Sequence, residues 1–285
     1  MPIFGGECMT YEAIDFNIED GIAFLYLNRP AAKNALDDVM RGEIADVIRR
    51  LRKGIDHKEL DVRALVIGGR GGAFCGGGDV KGMARKKTGL MMHSRMTDVQ
   101  DWFRDLIKLE MPVIAAVDGP AFGAGFSIAL AADFIIATPK SSFCAAFGRM
   151  GLVPDTSILF MLPRIVGLQR AKELIFSARV LGADEAKAMG IVYDLVPEGE
   201  AIEAATELAR KMKLASVAAV ALTKQLLNQT FESSQTAMAQ AEALAQGIAI
   251  GTDYHADAVQ RFVGKSPLLF TGFSVQNWRK PTRPK

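Results

Sequence analysis

The stretch from Val113 to Ala137 limits the possible folds more than any other part of the chain. It reads as an apolar strand (Val113 to Val117), a glycine turn (Gly119 to Gly125), an apolar helix (Phe126 to Ala132) and a second apolar strand (Phe134 to Ala137). Neither strand has a polar face, so both must be covered on two sides, as in a largely parallel sheet flanked by helices. The preceding sequence follows the same rhythm. A β-branched and aromatic run, Ile22 to Leu27, ends in a loop at Asn28, Arg29 and Pro30. From Asp37 to Leu51, Val39, Met40, Ile44, Val47, Ile48 and Leu51 recur at helical spacing, with Asp37 suited to cap the start. Ala64 to Ile67 is then a buried strand closed by the glycines of Gly68 to Gly72. This alternation predicts an α/β core.

After Pro197 the strand signals stop, and Ala, Glu, Lys and Gln dominate at helical spacing. Helices are predicted at 201–213, 217–231, 235–250 and 256–263. The division expected is a core at 10–197, a helical subdomain at 198–275 and a tail at 276–285. No solenoid repeat or low-complexity linker interrupts the chain.

Charge narrows the possible partners. The chain has 34 basic and 32 acidic residues, a net +2, too even for a nucleic-acid footprint. The apolar stretch Met111 to Leu130 is broken by Pro112, Asp118, Gly119 and Pro120, so no membrane span is expected. The opening residues lack a basic region followed by an apolar one, and export is not expected. Cys8, Cys75 and Cys144 are odd in number and lack metal-ligand spacing, which suits a reducing cytoplasm. Neither a metal nor a separate cofactor is expected.

Two glycine turns stand out. Ala73 to Lys81 (AFCGGGDVK) follows a strand and ends on Asp79, a good helix N-cap; Gly119 to Ser127 (GPAFGAGFS) runs from a strand into a buried helix. Amides at a helix start carry a partial positive charge and lack partners, so such turns can hold an anion. Either turn alone is also explained by close packing. A dinucleotide fingerprint fits poorly, because Ile128 stands at its third glycine position and no acidic residue ends a strand about 20 residues on.

Taken in order, NRPAAKNAL (Asn28 to Leu36), AFCGGGDVKGM, GPAFGAGFSIALAADFIIAT, GLVPD (Gly151 to Asp155) and ARVLGADEAKAMGIVYDLVP resemble the successive motifs of the crotonase family, the enoyl-CoA hydratases and isomerases. The resemblance implies the crotonase (ClpP-like) fold, a spiral of β-β-α turns, with a helical C-terminal region that forms a homotrimer or hexamer. It also implies an acyl-CoA thioester as the small-molecule partner. By position, the oxyanion hole falls to the amides of Gly76 and Ala124, the latter commonly a glycine in the family. Contacts to coenzyme A or the acyl group fall to Ala32, Lys33, Phe74, Gly78, Asp79, Val80, Gly123, Ser127 and Phe147. Lys33 and Lys81 are candidates for its phosphates.

The two glutamates of family hydratases are absent: Ser127 and Phe147 occupy their positions, and neither is an acid or base at neutral pH. Asp155 remains, and it resembles the single acid of family isomerases. The alternative is that Asp155 caps a helix starting at Thr156. The walls of its pocket are expected from Phe126, Phe147, Ile158, Leu159 and Met161, and an acyl-chain pocket from Met91, Met92, Met96 and Trp102. Ordinary core packing explains both groups nearly as well. His57, His93 and His255 are scattered, with no triad. Three readings stay open: an isomerase using Asp155, a hydratase or other thioester enzyme with a base from 83–105, and a non-catalytic acyl-CoA-binding protein.

Overall fold

The computed structural model describes residues 10–56, 61–80 and 88–273, apart from the side chains at 55, 56 and 92, and the backbone of two short N-terminal strands. Those strands, β1 (Ile3–Phe4) and β2 (Glu7–Cys8), form an antiparallel hairpin.

The main sheet has six strands in the order β11-β8-β6-β5-β4-β3. β3 (Ile14–Glu19) pairs antiparallel with β4 (Ile22–Leu27). β4, β5 (Ala64–Gly69), β6 (Val113–Val117), β8 (Phe134–Ala137) and β11 (Asp194–Leu195) run parallel. A smaller sheet joins β7 (Pro120–Phe122), β9 (Ser142–Cys144) and β10 (Leu181–Gly182) in the order β10-β9-β7. Single bridges link Cys75 to Ala121 and Leu36 to Gly78. The chain therefore visits the main sheet, crosses to the second layer, and returns through a helix.

β4, β6 and β8 have the bounds read from the sequence. Their side chains fill two cores because both faces of the sheet are covered. On one face, Leu25, Leu65, Ile67, Val113, Ala115 and Val117 meet α1 (Asp38–Asp56), α2 (Gly89–Ile107) and α3 (Ala124–Ala131). On the other, Ile22, Phe24, Ala64, Val66 and Ile114 meet Ala201, Ala205, Leu208 and Ala209. These last four belong to α7 (Ala201–Met212); before it come α4 (Ile158–Val166), α5 (Leu168–Ser177) and α6 (Ala183–Ala188). α7 thus completes the core on the second face of the sheet.

Beyond it stand α8 (Val217–Leu227), α9 (Gln235–Ile250) and α10 (Asp253–Val263). Lys224 fastens α8 to the sheet, its Nζ bonding Asp133 at 2.6 Å and the Met111 carbonyl at 2.9 Å. α9 and α10 bury no residue within the chain. Among the described residues, no helix is long and apolar enough to cross a membrane. The expected tail, 276–285, lies outside the described residues.

Candidate active site

The loop leaving β4 is shaped by two consecutive left-handed residues, Lys33 (φ 50°) and Asn34 (φ 56°). Asparagine tolerates this conformation, and Asn34 is fully buried. Its Oδ1 accepts from the Arg29 amide at 2.8 Å, and its Nδ2 donates to the carbonyls of Arg70 (2.9 Å) and Ala73 (2.8 Å). One side chain thereby pins the loop to the first glycine turn. The Arg29 guanidinium adds ion pairs to Asp37 (3.1 Å) and Asp79 (3.2 Å).

This docking decides which amides are available. The Gly76 N–H donates to the Lys33 carbonyl at 2.8 Å, so the amide expected to hold an oxyanion is already engaged. Two residues on, Leu36 N–H donates to the Gly77 carbonyl (2.7 Å) and Asp79 N–H to the Leu36 carbonyl (3.0 Å). Between these bonds, the N–H of Gly78 meets no acceptor among the described residues. The expectation that the Gly76 amide is free is therefore corrected: it is engaged, and the open amide of this turn is that of Gly78.

The second glycine turn lies against the first. Phe74 and Cys75 donate to the Pro120 carbonyl (3.1 and 3.0 Å), and Phe122 N–H donates to the Cys75 carbonyl (2.9 Å). Gly123 begins α3, and the N–H of Ala124, the first helical residue, has no acceptor among the described residues. Gly77, at φ 102°, runs beside it: a Cβ there would sit 2.9 Å from the Phe122 carbonyl oxygen and 3.8 Å from the Ala124 nitrogen. Two unpaired amides, Gly78 and Ala124, thus flank one close approach of backbone.

Asp155 follows a 3-10 turn at Ala146–Met150 and precedes two left-handed residues, Thr156 (φ 54°) and Ser157 (φ 61°). α4 starts at Ile158 with Ser157 as its N-cap, and no side chain caps it. The helix-cap reading of Asp155 is corrected accordingly, because the helix starts later than Thr156. Asp155 is half-buried, and burial pushes its carboxyl above the ordinary 3.8, against an opposing pull from the Thr156 hydroxyl. The Thr156 Oγ1 lies 2.7 Å from Ser127 Oγ on the first turn of α3. Asp155 is consequently one residue removed from the helix that carries the Ala124 amide.

The other expected residues divide by exposure. Lys33, Gly76 and Val80 form an open rim, with Ala32, Gly78 and Asp79 half-buried behind it. Phe74, Gly123, Ser127 and Phe147 are buried, and the Ser127 hydroxyl is engaged within the protein. Phe126, Phe147, Ile158 and Met161 share one apolar cluster with Ala124, whereas Leu159 is half exposed. Trp102 is in the core, Met96 packs against it and Met91 is exposed. Lys81 and His57 lie outside the described residues, as does the Met92 side chain. Cys75 donates its Sγ hydrogen to the Asn34 carbonyl at 3.1 Å, and burial pushes its thiol up to about 12, far from a nucleophile at neutral pH. Among the described residues there is no cluster of His, Cys, Asp or Glu able to hold a metal. Asn34 and Thr156 carried no signal in the motif spacing, although an asparagine after a lysine in a proline loop is a fair mark of a left-handed bend.

Residues 17–273 match the sequence profile of the enoyl-CoA hydratase/isomerase family. The chain belongs to that family. It is 34% identical, over 93% of its length and 100% of the relative's, to a probable enoyl-CoA hydratase of Rhodobacter capsulatus. It is 30% identical to the 1,2-epoxyphenylacetyl-CoA isomerase of Escherichia coli K12, over 92% of this chain and 99% of that one. The crystal structure of an enoyl-CoA hydratase/isomerase from Cupriavidus metallidurans CH34 superposes with a TM-score of 0.86 at 36% identity, covering 94% of this chain and 99% of that chain. The α/β architecture with its helical C-terminal region is thus the crotonase fold of this family of enzymes.

Proposed function

We propose that this family member is an enoyl-CoA isomerase, which shifts a double bond by proton transfer through an enolate. The observation that carries the reading is one desolvated carboxylate, Asp155, whose neighbour Thr156 is bonded to Ser127 on the helix that carries the unpaired Ala124 amide, with Ser127 and Phe147 standing where a second acid would be needed to activate water. The amides of Gly78 and Ala124 receive the thioester oxygen as negative charge develops on it, a preorganised pair contributing several kcal/mol. Asp155 takes a proton from the α-carbon and returns it to the γ-carbon. Its raised pKa suits it to hold that proton between the two transfers. Coenzyme A lies along the rim of Ala32, Lys33, Gly76, Asp79 and Val80; no other cofactor takes part.

The assembly proposed is a homotrimer or hexamer of a cytoplasmic protein, built through the helices after Met212. The isomerase named among the relatives supports the activity, while the relatives named hydratases make hydration the competing outcome. The deciding experiment supplies unconjugated enoyl-CoA and follows absorbance of the conjugated thioester. Wild-type protein should isomerise, and Asp155→Asn should lose at least about a hundredfold in kcat while still binding acyl-CoA. Hydration of conjugated enoyl-CoA without isomerisation would overturn the reading.

A further inference from the structure

We propose that Thr156 and Ser127 are positioning residues: their buried hydroxyl pair fixes the left-handed bend at 156–157 and thereby sets the place from which Asp155 acts. This rests on the reading of Asp155 as the base.

The bend is costly in itself. Two successive non-glycine residues, Thr156 and Ser157, are left-handed, and the first is β-branched, the type that disfavours this region most. Such strain persists only where surrounding structure imposes it. No capping bond of α4 does so, because Ser157 makes none. What meets the bend is a chain of hydroxyls. Thr156 Oγ1 is 2.7 Å from Ser127 Oγ, and Ser127 Oγ is 3.4 Å from the Gly123 carbonyl oxygen. Thr156 Oγ1 also lies 2.7 Å from the Asp155 carbonyl oxygen, so the contacts run from Asp155 through Thr156 and Ser127 to Gly123, whose next residue supplies the Ala124 amide. A second tether joins Ser157 Oγ to Gln100 Oε1 of α2 at 3.3 Å.

Both hydroxyls are shut away from water, with Thr156 3% and Ser127 0% exposed. Packing does not explain them, since valine and alanine would fill nearly the same space without burying polar atoms. Each hydroxyl is tolerated because it has partners, Thr156 in Ser127 and the Asp155 carbonyl oxygen at 2.7 Å, Ser127 in Thr156 and Gly123, and the bond between the two links the base loop to the amide-bearing helix. Loss of either hydroxyl frees residue 156 to relax towards the extended region and carries Asp155 away from the amides.

The test compares Thr156→Val, Thr156→Ser, Ser127→Ala and the Thr156→Val/Ser127→Ala double variant, with Asp155→Asn as reference, in the isomerisation assay. Thr156→Val and Ser127→Ala should each lower kcat about tenfold with KM changed by less than about twofold, and Thr156→Ser should restore most of kcat. The double variant should lose no more than Thr156→Val, which already removes the bond shared with Ser127 together with the Thr156 contact to Asp155. Wild-type kcat in Thr156→Val, or losses that add and fall on KM, would overturn the proposal while leaving Asp155 as the base. Wild-type kcat in Asp155→Asn would instead overturn the base. Crystal structures of the same variants decide the bend even without turnover: a left-handed residue 156 in both single variants would sink the proposal.

Discussion

At the scale of single residues, the position of Asp155 carries a consequence for stability. Its carboxyl is raised by burial, so folding disfavours the ionised form relative to the unfolded chain. That penalty is fully present above the raised folded value and disappears as pH falls below the ordinary 3.8. Asp155→Asn removes the charge and keeps the shape. Its thermal midpoint should therefore exceed wild type at neutral pH, with the difference shrinking as the pH is lowered towards about 4. Scanning calorimetry of both proteins across that range checks this, and a pH-independent difference would mean that burial does not penalise the charge. Activity should move the other way: a base must be ionised, so turnover rises with pH through the same raised value.

At the scale of elements, the site depends on two glycine turns meeting backbone to backbone. Gly125, on the first turn of α3, allows this: a Cβ there would lie 2.3 Å from the Cys75 carbonyl oxygen and 2.7 Å from the Cys75 Cβ. Neither is the end of a flexible side chain, so the turns themselves must separate. Gly125→Ala should cost roughly 1–3 kcal/mol in urea unfolding and lower kcat together with stability. Gly42→Ala in α1, where nothing lies within 4 Å of the added Cβ, is the control and should stabilise by up to about 1 kcal/mol. Equal effects at the two positions would show that the close approach does not matter.

At the scale of the whole molecule, α9 and α10 are left largely uncovered among the described residues. Leu244 and Ile248 on α9 and Phe262 and Val263 on α10 are 58–76% exposed, more apolar surface than a soluble helix pair leaves to water. A largely apolar cavity of about 670 Å³ lies between α8, α10 and residues 268–270, at the ends of β6 and β8 away from the glycine turns. Light scattering at micromolar concentration should give three or six chain masses, and Phe262→Glu with Val263→Glu should shift that mass downward. A monodisperse monomer of wild-type protein would refute the assembly.

The sequence alone determined the elements whose signal is local. β4, β6 and β8 are apolar on both faces and bounded by turn residues, so their limits could be read without knowing their neighbours. The ordered glycine and proline motifs gave the family for the same reason, and Ala124 was named by its position in them, while its place as the first residue of a helix, where an N–H lacks an intrahelical partner, came from the structure. Short strands such as β7 and β10 escaped, since two or three residues carry no period. Tertiary structure decided the rest. Gly76 and Gly78 look alike in a triple-glycine run, and only the docking of the Asn34 loop engages one amide and leaves the other open. The cap, the lesser of two readings of Asp155 in the sequence, is removed only by the start of α4 at Ile158 with Ser157 as its N-cap. The bond between Thr156 and Ser127 joins residues far apart in the chain. Hydrogen-bond satisfaction is a property of the folded backbone, because whether a buried N–H is free depends on which distant carbonyl the fold brings to it.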